Sequence, residues 1–401
     1  MSSSALFRPT FTDLRAEIER RVAQNAPSDE IAALIDGFLA AGGDAPSPLV
    51  EYDGAVTWLF RSASAESVSV VGDVLGYDPA TTRMARLPGC DLFYLTAQLP
   101  LDAQIAYAFA VDVPQVPVRD GGRWLERCVA DPLNPRQMVE THPLRVASVL
   151  EMPGAVPSFD PDGSLDEAPV FAGAQVIWSA ALHGWRRLWI YLPPQYDPET
   201  RRYPAIYFLD GEAYLLSARL PLMLDVLIEQ DEIAPLVAVM VECEPARSRR
   251  SSSAALARFV ADEAVPWIDA RYATSSDPLD RIIGGAGTYG AQAVYTALHR
   301  PDMFGGLIAQ SPGMQAPGRV APLLARNRAR GYGSPRCYVD VGRYEDAAAI
   351  ETTQALCSML VEGGAAVSYQ DFAGGRGFSG WRVALPDALR FHFGSSALSD
   401  L

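Results

Sequence analysis

Residues 281–313 read RIIGGAGTYGAQAVYTALHRPDMFGGLIAQSPG. Two short apolar runs, RIIGG and GGLIAQS, flank a segment of helical character, and the first run closes on glycines before that segment begins. This is strand, tight turn, helix, strand. The same plan extends to both sides: QVIWSA, RRLWIYL, AIYFLD and LVAVMVE precede it, and RCYVDVG and VSYQDF follow it. Between LVAVMVE and RIIGG, Ala254 to Arg271 carries helical spacing at Leu256, Phe259, Val260, Val265, Trp267 and Ile268. Strands alternating with helices predict an α/β fold with a central, mostly parallel sheet covered on both faces. Ligands in such sheets sit beyond the carboxyl ends of the strands. The loops beginning at Asp210, Glu242, Gly285, Ser311, Gly342 and Phe372 should therefore line one pocket.

Upstream the period changes. AVTWLFR, SVSVVG, LFYLTAQL and IAYAFAV, within 55–112, are β-branched and aromatic runs bounded by Gly, Pro and Asp, as the strands of a β-sandwich would be. Before them, 11–24 and 28–41 have the apolar spacing of two helices, with Pro27-Ser28 as stop and N-cap. Met152 to Ala168 is rich in Pro, Gly and acid without apolar periodicity, which marks a linker. The expected domains are a helical hairpin (1–45), an immunoglobulin-like sandwich (46–150), a linker (151–170) and the α/β domain (171–401).

Composition narrows the function classes. Of 401 residues, 49% are hydrophobic and 20% charged, the balance of a folded chain. Thirty-three basic against 48 acidic residues give a formal charge of −15, which repels nucleic acid and anionic membranes. No leader-like segment and no apolar stretch of spanning length occurs, so a cytoplasmic location is expected. The five cysteines are odd in number and never spaced as CxxC, so neither a disulfide framework nor a thiolate metal site is expected. No cofactor is implied, and the expected partner is a small molecule; homo-oligomerisation is left open.

Several stretches, in order, resemble one family. PLVE at 48–51, VTWLFR, LFYLTAQLPLDAQIAYAF, DPLNPR at 131–136, LEMPGA, RRLWIYLPP, YFLDGE at 207–212 and RIIGG are similar to the enterochelin (ferric enterobactin) esterases and their esterase D relatives, over nearly the whole chain. The resemblance implies an α/β-hydrolase domain that opens ester siderophores, preceded by an immunoglobulin-like domain that walls one side of the pocket.

Against that resemblance, the residues that carry the chemistry depart. A hydrolase of this fold needs a serine on a tight elbow, in the form GxSxG. Here the elbow reads Gly285-Ala286-Gly287-Thr288-Tyr289-Gly290, which puts Gly287 in the place of the serine and the bulk of Tyr289 where the family keeps a glycine. In the family the loop after the last strand carries a histidine; here it reads Phe372-Ala373-Gly374-Gly375-Arg376-Gly377, with Arg376 in that place. A guanidinium offers only donors and cannot serve as general base. Glu345, in GRYED, matches the orienting acid. The oxyanion hole is built of backbone N–H groups, expected at Thr288 and near Asp210, Gly211 and Glu212. The expectation is a degenerate triad in a pseudo-esterase. An ion pair between Arg376 and Glu345 would bridge the old triad; alternatively Arg376, with Arg247, Arg249 and Arg250, binds an anionic or catecholate group.

Other nucleophiles are weaker candidates. Ser311 ends a strand before proline, Cys243 follows LVAVMVE near the rim, and Thr288 is one residue from the elbow apex. None of His142, His183, His299 and His392 lies on the last loop. Three readings compete: a non-hydrolytic binder of a siderophore-like (catecholate) or acyl-ester molecule; a lyase, isomerase or cyclase using Asp210, Glu212, Glu345 or Tyr289 as acid or base; and a weak esterase or scaffold partner of an active homologue.

Overall fold

The computed structural model describes residues 10–113, 123–141, 144–157, 173–243, 252–313, 318 and 320–394. The chain divides into two compact units, Met1–Asp166 and Glu167–Leu401. Most of the expected linker, and the arginines 247, 249 and 250, lie outside the described residues.

In the first unit, α1 (Phe11–Ala23) and α2 (Ser28–Ala40) form the expected hairpin. Thr10 caps α1, its hydroxyl accepting from the Asp13 N–H. Pro27, not Ser28, occupies the cap position of α2, and no side chain bonds the helix there. Ile18, Ile35 and Phe38 turn inward to join Leu59 and Leu92 of the adjoining sheet. Eight strands follow: β1 (Leu49–Val50), β2 (Ala55–Arg61), β3 (Val68–Gly72), β4 (Ala85–Arg86), β5 (Leu92–Gln98), β6 (Gln104–Val111), β7 (Gln137–Thr141) and β8 (Leu144–Glu151). They make two antiparallel sheets, β1-β2-β5-β4 and β3-β6-β8-β7. Trp58 meets Tyr107, and Phe60 meets Phe109, between the sheets. The four apolar runs read from the sequence are β2, β3, β5 and β6. The structure adds two two-residue ribbons and the β7–β8 hairpin, whose half-exposed β7 alternates polar residues and so lacks the dense apolar run that marks a buried strand. The DPLNPR turn is a buried polar pin. Asp131 accepts from the Ser47 and Tyr107 hydroxyls and the Leu133 N–H, and Asn134 donates to the Val149 carbonyl.

The second unit holds one eight-stranded sheet. Its strands are β9 (Gly173–Ser179), β10 (Gly184–Tyr191), β11 (Ala205–Leu209), β12 (Val237–Val241), β13 (Arg281–Ala286), β14 (Gly306–Gln310), β15 (Arg336–Gly342) and β16 (Ala366–Phe372), in the order β16-β15-β14-β13-β11-β12-β10-β9. All eight coincide with the apolar runs read from the sequence. The six from β11 onward are parallel, while β10 and β9 run antiparallel at one edge. The connecting helices are α3 (Gly211–Leu216), α4 (Leu220–Glu229), α5 (Ser253–Arg258), α6 (Val265–Asp269), α7 (Thr288–His299), α8 (Val320–Ala329), α9 (Ala347–Glu362) and α10 (Phe378–Phe393). The helix expected over 254–271 is interrupted by a π turn at Phe259–Ala264, just before Pro266, which has no N–H for the ladder. Tyr207, Val239, Ile283, Leu307 and Phe259 lie in the main core. This is the α/β-hydrolase architecture. Among the described residues no helix is long and apolar enough to cross a membrane, and no cluster of His, Cys, Asp or Glu has the make-up of a metal site.

Candidate functional site

Register fixes which loops meet. Phe208 pairs with Gly284, Ala286 with Gln310, Gln310 with Asp340 and Gly342 with Phe372. The strands are parallel, so the segments starting at Asp210, Gly287, Ser311, Arg343 and Ala373 leave the sheet along the same edge.

The elbow is sharp. Gly287 has φ +54° and ψ −123°, between the end of β13 and the first residue of α7. Its N–H donates to the Gln310 carbonyl at 2.8 Å, tying the turn to the next strand. The approach of helix to sheet explains the surrounding glycines. A Cβ on Gly285 would lie 2.4 Å from the Tyr289 carbonyl oxygen, and one on Gly290 would lie 2.9 Å from the Gln310 carbonyl oxygen. Close helix packing is thus served by Gly290, one residue beyond the expected place, and the Tyr289 side chain leans half-buried on the main core. The bulk of Tyr289 does not interfere with that packing.

A Cβ built on Gly287 points at two side chains. Trp381 Cη2 would lie 3.4 Å away and Arg376 Nη2 3.6 Å away. A Cβ on Gly313, also at positive φ (+45°), would lie 3.2 Å from the same Arg376 nitrogen. Arg376 therefore rests its guanidinium over two glycine backbones, in the direction a side chain at 287 would take, while the residue as a whole stays exposed.

The expected bridge between Arg376 and Glu345 is absent. Among the described residues no ion pair involves Arg376. Glu345 turns instead to Ser311: the Ser311 hydroxyl donates to Glu345 Oε1, which also accepts from the Gly342 N–H at 3.0 Å. The Ser311 oxygen in turn accepts from Trp381 Nε1–H at 2.8 Å. Two hydrogen bonds, to a nearby serine and a backbone amide, hold the carboxylate more firmly than a pair with an exposed arginine would. Ser311 is closed as a nucleophile, being 1% exposed with its oxygen engaged on both sides. Its backbone is held in the left-handed region at φ +44°, a conformation that costs a non-glycine residue about 1–3 kcal/mol.

Beneath the elbow lies a buried polar network that the apolar reading of the strands passes over. Gln310 Nε2 donates to Asp340 Oδ2 at 3.0 Å and to the Trp381 carbonyl at 2.8 Å, while its Oε1 accepts from the Tyr214 hydroxyl at 3.1 Å. Burial pushes the Asp340 carboxyl up to about 8. A charged residue inside the apolar run CYVDVG was the available signal for this site.

The loop after β11 supplies the other side. Asp210 takes the left-handed conformation (φ +65°, ψ +50°), and Gly211 opens α3 hard against β12. The Asp210 N–H points to Cys243 Sγ at 3.5 Å. Burial pushes that thiol up to about 12, so Cys243 keeps its proton at neutral pH. Glu212 is exposed and Asp210 half-buried. Thr288, the first residue of the twelve-residue α7, has no carbonyl one turn back within its helix, so its N–H is one of the donors the helix leaves without an intrahelical partner. His299 stacks on Tyr295 and bonds its carbonyl. His392 is buried, with its proton affinity lowered to about 3 by that burial, and bonds the Leu307 carbonyl. Neither approaches the elbow through any described contact. His142 and the arginines 247, 249 and 250 lie outside the described residues.

Comparison with known proteins places these features. The family model described as putative esterase matches residues 179–392, and the one described as enterochelin esterase, N-terminal, matches 55–160. The iron(III) enterobactin esterase of Escherichia coli K12 is 30% identical over 244 residues, which cover 57% of this chain and 60% of that protein. The chain thus matches only about 60% of the length of that relative. The iron(III) enterobactin esterase of Dickeya dadantii is 27% identical over 364 residues, 81% of each chain. Among solved structures, the ferric enterobactin esterase of Salmonella typhimurium superposes with a TM-score of 0.72 at 21% identity, covering 88% of this chain and 97% of its own. That of Shigella flexneri, solved in the presence of enterobactin, gives 0.68 at 24%, covering 84% and 92%. At these identities the superpositions speak for the fold.

Proposed function

The chain belongs to the putative esterase family, as an enterochelin-esterase-like member, and on that premise we propose that its C-terminal unit binds a siderophore-like or acylated small molecule without hydrolysing it. The observation that carries this reading is the elbow: its turn is kept, with φ +54° and ψ −123°, while its apex is a glycine faced by a donor-only guanidinium. Hydrolysis by this fold needs a nucleophile and a proton acceptor at those two places. Neither Gly287 nor Arg376 supplies one. The three other candidates fail on separate grounds. Ser311 is buried and doubly engaged, Cys243 holds its proton far above neutral pH, and Thr288 has no described base beside it.

In this reading the acyl group is held by the Thr288 N–H at the start of α7, with the tight turn and the partly exposed Phe378, edge-on to Trp381, beside it. In a serine protease such a remnant gives about 10³- to 10⁴-fold catalysis over water, far below a working esterase. The test is calorimetric titration of the purified protein with ferric enterobactin and its linear trimer. Saturable binding with the ligand recovered intact supports the reading, and no heat with either ligand at millimolar concentration removes it. Appearance of a product other than the hydrolysed acid would point instead to a lyase, isomerase or cyclase.

A further inference from the structure

We infer that the acyl position of this site takes a free carboxylate, so that the preferred ligand is an acid and not the corresponding ester; this rests on the binding reading above. The Arg376 guanidinium lies 3.6 Å from the Cβ position of residue 287, over a glycine where a serine oxygen would otherwise stand. The second oxygen of a carboxylate fits in that vacated direction, within reach of Arg376, while the first faces the Thr288 N–H at the start of α7. An ester offers one neutral carbonyl oxygen to the amide and only a weakly accepting alkoxy oxygen to the cation. A carboxylate satisfies both with charge-assisted bonds, roughly twice as strong as neutral ones.

Among the described residues no acid neutralises that cation. The nearest acid by family position, Glu345, is taken up by the Ser311 hydroxyl and the Gly342 N–H. Asp340, in the layer below, is buried and holds its proton to about pH 8. Among the described residues no carboxylate pairs with Arg376. A chain of formal charge −15 thus presents at the elbow a local positive group that no described carboxylate pairs. Gly313, at φ +45°, gives the guanidinium room: a Cβ there would lie 3.2 Å from Nη2, a tight contact.

The experiment compares 2,3-dihydroxy-N-benzoyl-serine with its methyl ester by calorimetric titration of the full chain, with mass spectrometry of each mixture afterwards. The acid should bind roughly 10- to 100-fold more tightly than the ester, the range expected for hydrogen bonds to charged groups. Arg376→Gln, which removes the charge at an exposed position, should abolish that preference without moving Tm, and Arg376→Lys should keep part of it. Equal binding of acid and ester, with the ester intact, overturns this inference and leaves the binding reading standing. Conversion of the ester to the acid overturns the binding reading itself. A preference that survives Arg376→Gln, or binding of neither compound, also overturns the inference, while the binding reading is decided by the titration with ferric enterobactin.

Discussion

Gly287→Ser and Arg376→His, made singly and together, should have unequal effects. The structure gives room for the serine: its Cβ would sit 3.4 Å from Trp381 Cη2 and 3.6 Å from Arg376 Nη2, ordinary contact distances. It also sets a cost, because φ +54° is strained for any side chain, by about 1–3 kcal/mol. For a unit of this size that corresponds to a fall in Tm of roughly 2–12 °C. The single serine variant places a hydroxyl against a guanidinium that cannot accept its proton, so p-nitrophenyl acetate hydrolysis should stay at background. Arg376→His alone has a base and no nucleophile, with the same outcome. Together they should regain activity. A positioned general base contributes about 10²- to 10⁴-fold, and the lower end is expected because Glu345 is held by Ser311 and not by residue 376. A fluorophosphonate probe followed by peptide mass spectrometry should label residue 287 in the double variant only. The reasoning is refuted if Gly287→Ser alone is as active as the double variant, or if the double variant is folded yet inactive and unlabelled.

Three further outcomes follow from the surroundings of the elbow. Asp340 keeps its proton to about pH 8 in the folded chain, whereas an unfolded aspartate releases it near pH 4; the folded state binds the extra proton between those values, so stability drops as pH rises from about 4 to about 8 and is flat above. Asp340→Asn should remove a pH dependence of up to about 1.4 kcal/mol per pH unit, read from urea unfolding at pH 5, 6 and 7, and an unchanged slope would count against it. Gly211→Ala would place a Cβ 2.4 Å from the Met240 carbonyl carbon and 2.6 Å from the Val241 nitrogen, both backbone, so it should cost about 3 kcal/mol or more in urea unfolding. Cys243, with its thiol pushed up to about 12, should resist Ellman's reagent at pH 8 in the folded protein, where the thiolate is roughly one part in ten thousand, and react on unfolding.

The fold was legible because its signals are local. Eight apolar runs separated by helical or turn segments become eight strands, and even the α1–α2 hairpin follows its apolar spacing within a residue at each end. The short ribbons β1 and β4 and the half-exposed β7 were not legible, since a strand of two residues, or one polar on alternate positions, has no run to detect. At the site, the elbow apex and the last loop were readable by their place in the pattern. The orientation of the side chains was not. Glu345 and Arg376 are each where sequence order puts them, yet the carboxylate's partner is Ser311, brought alongside by the β14–β15 register and fixed by Trp381 from a helix seventy residues on. Likewise Tyr289 sits in the motif position expected to crowd the helix, but rotation along α7 sends its ring to the core and gives the close approach to Gly290.

The most direct measurement is a single-turnover experiment: ferric enterobactin mixed with a tenfold excess of the wild-type chain, quenched over several hours and resolved by mass spectrometry, with the ligand alone and the Arg376→His/Gly287→Ser variant alongside. Intact trilactone, disappearing no faster with the wild-type chain than without it, is the predicted result. Ring opening by the wild-type chain faster than in the ligand alone would contradict the account and show that a nucleophile other than residue 287 serves this elbow.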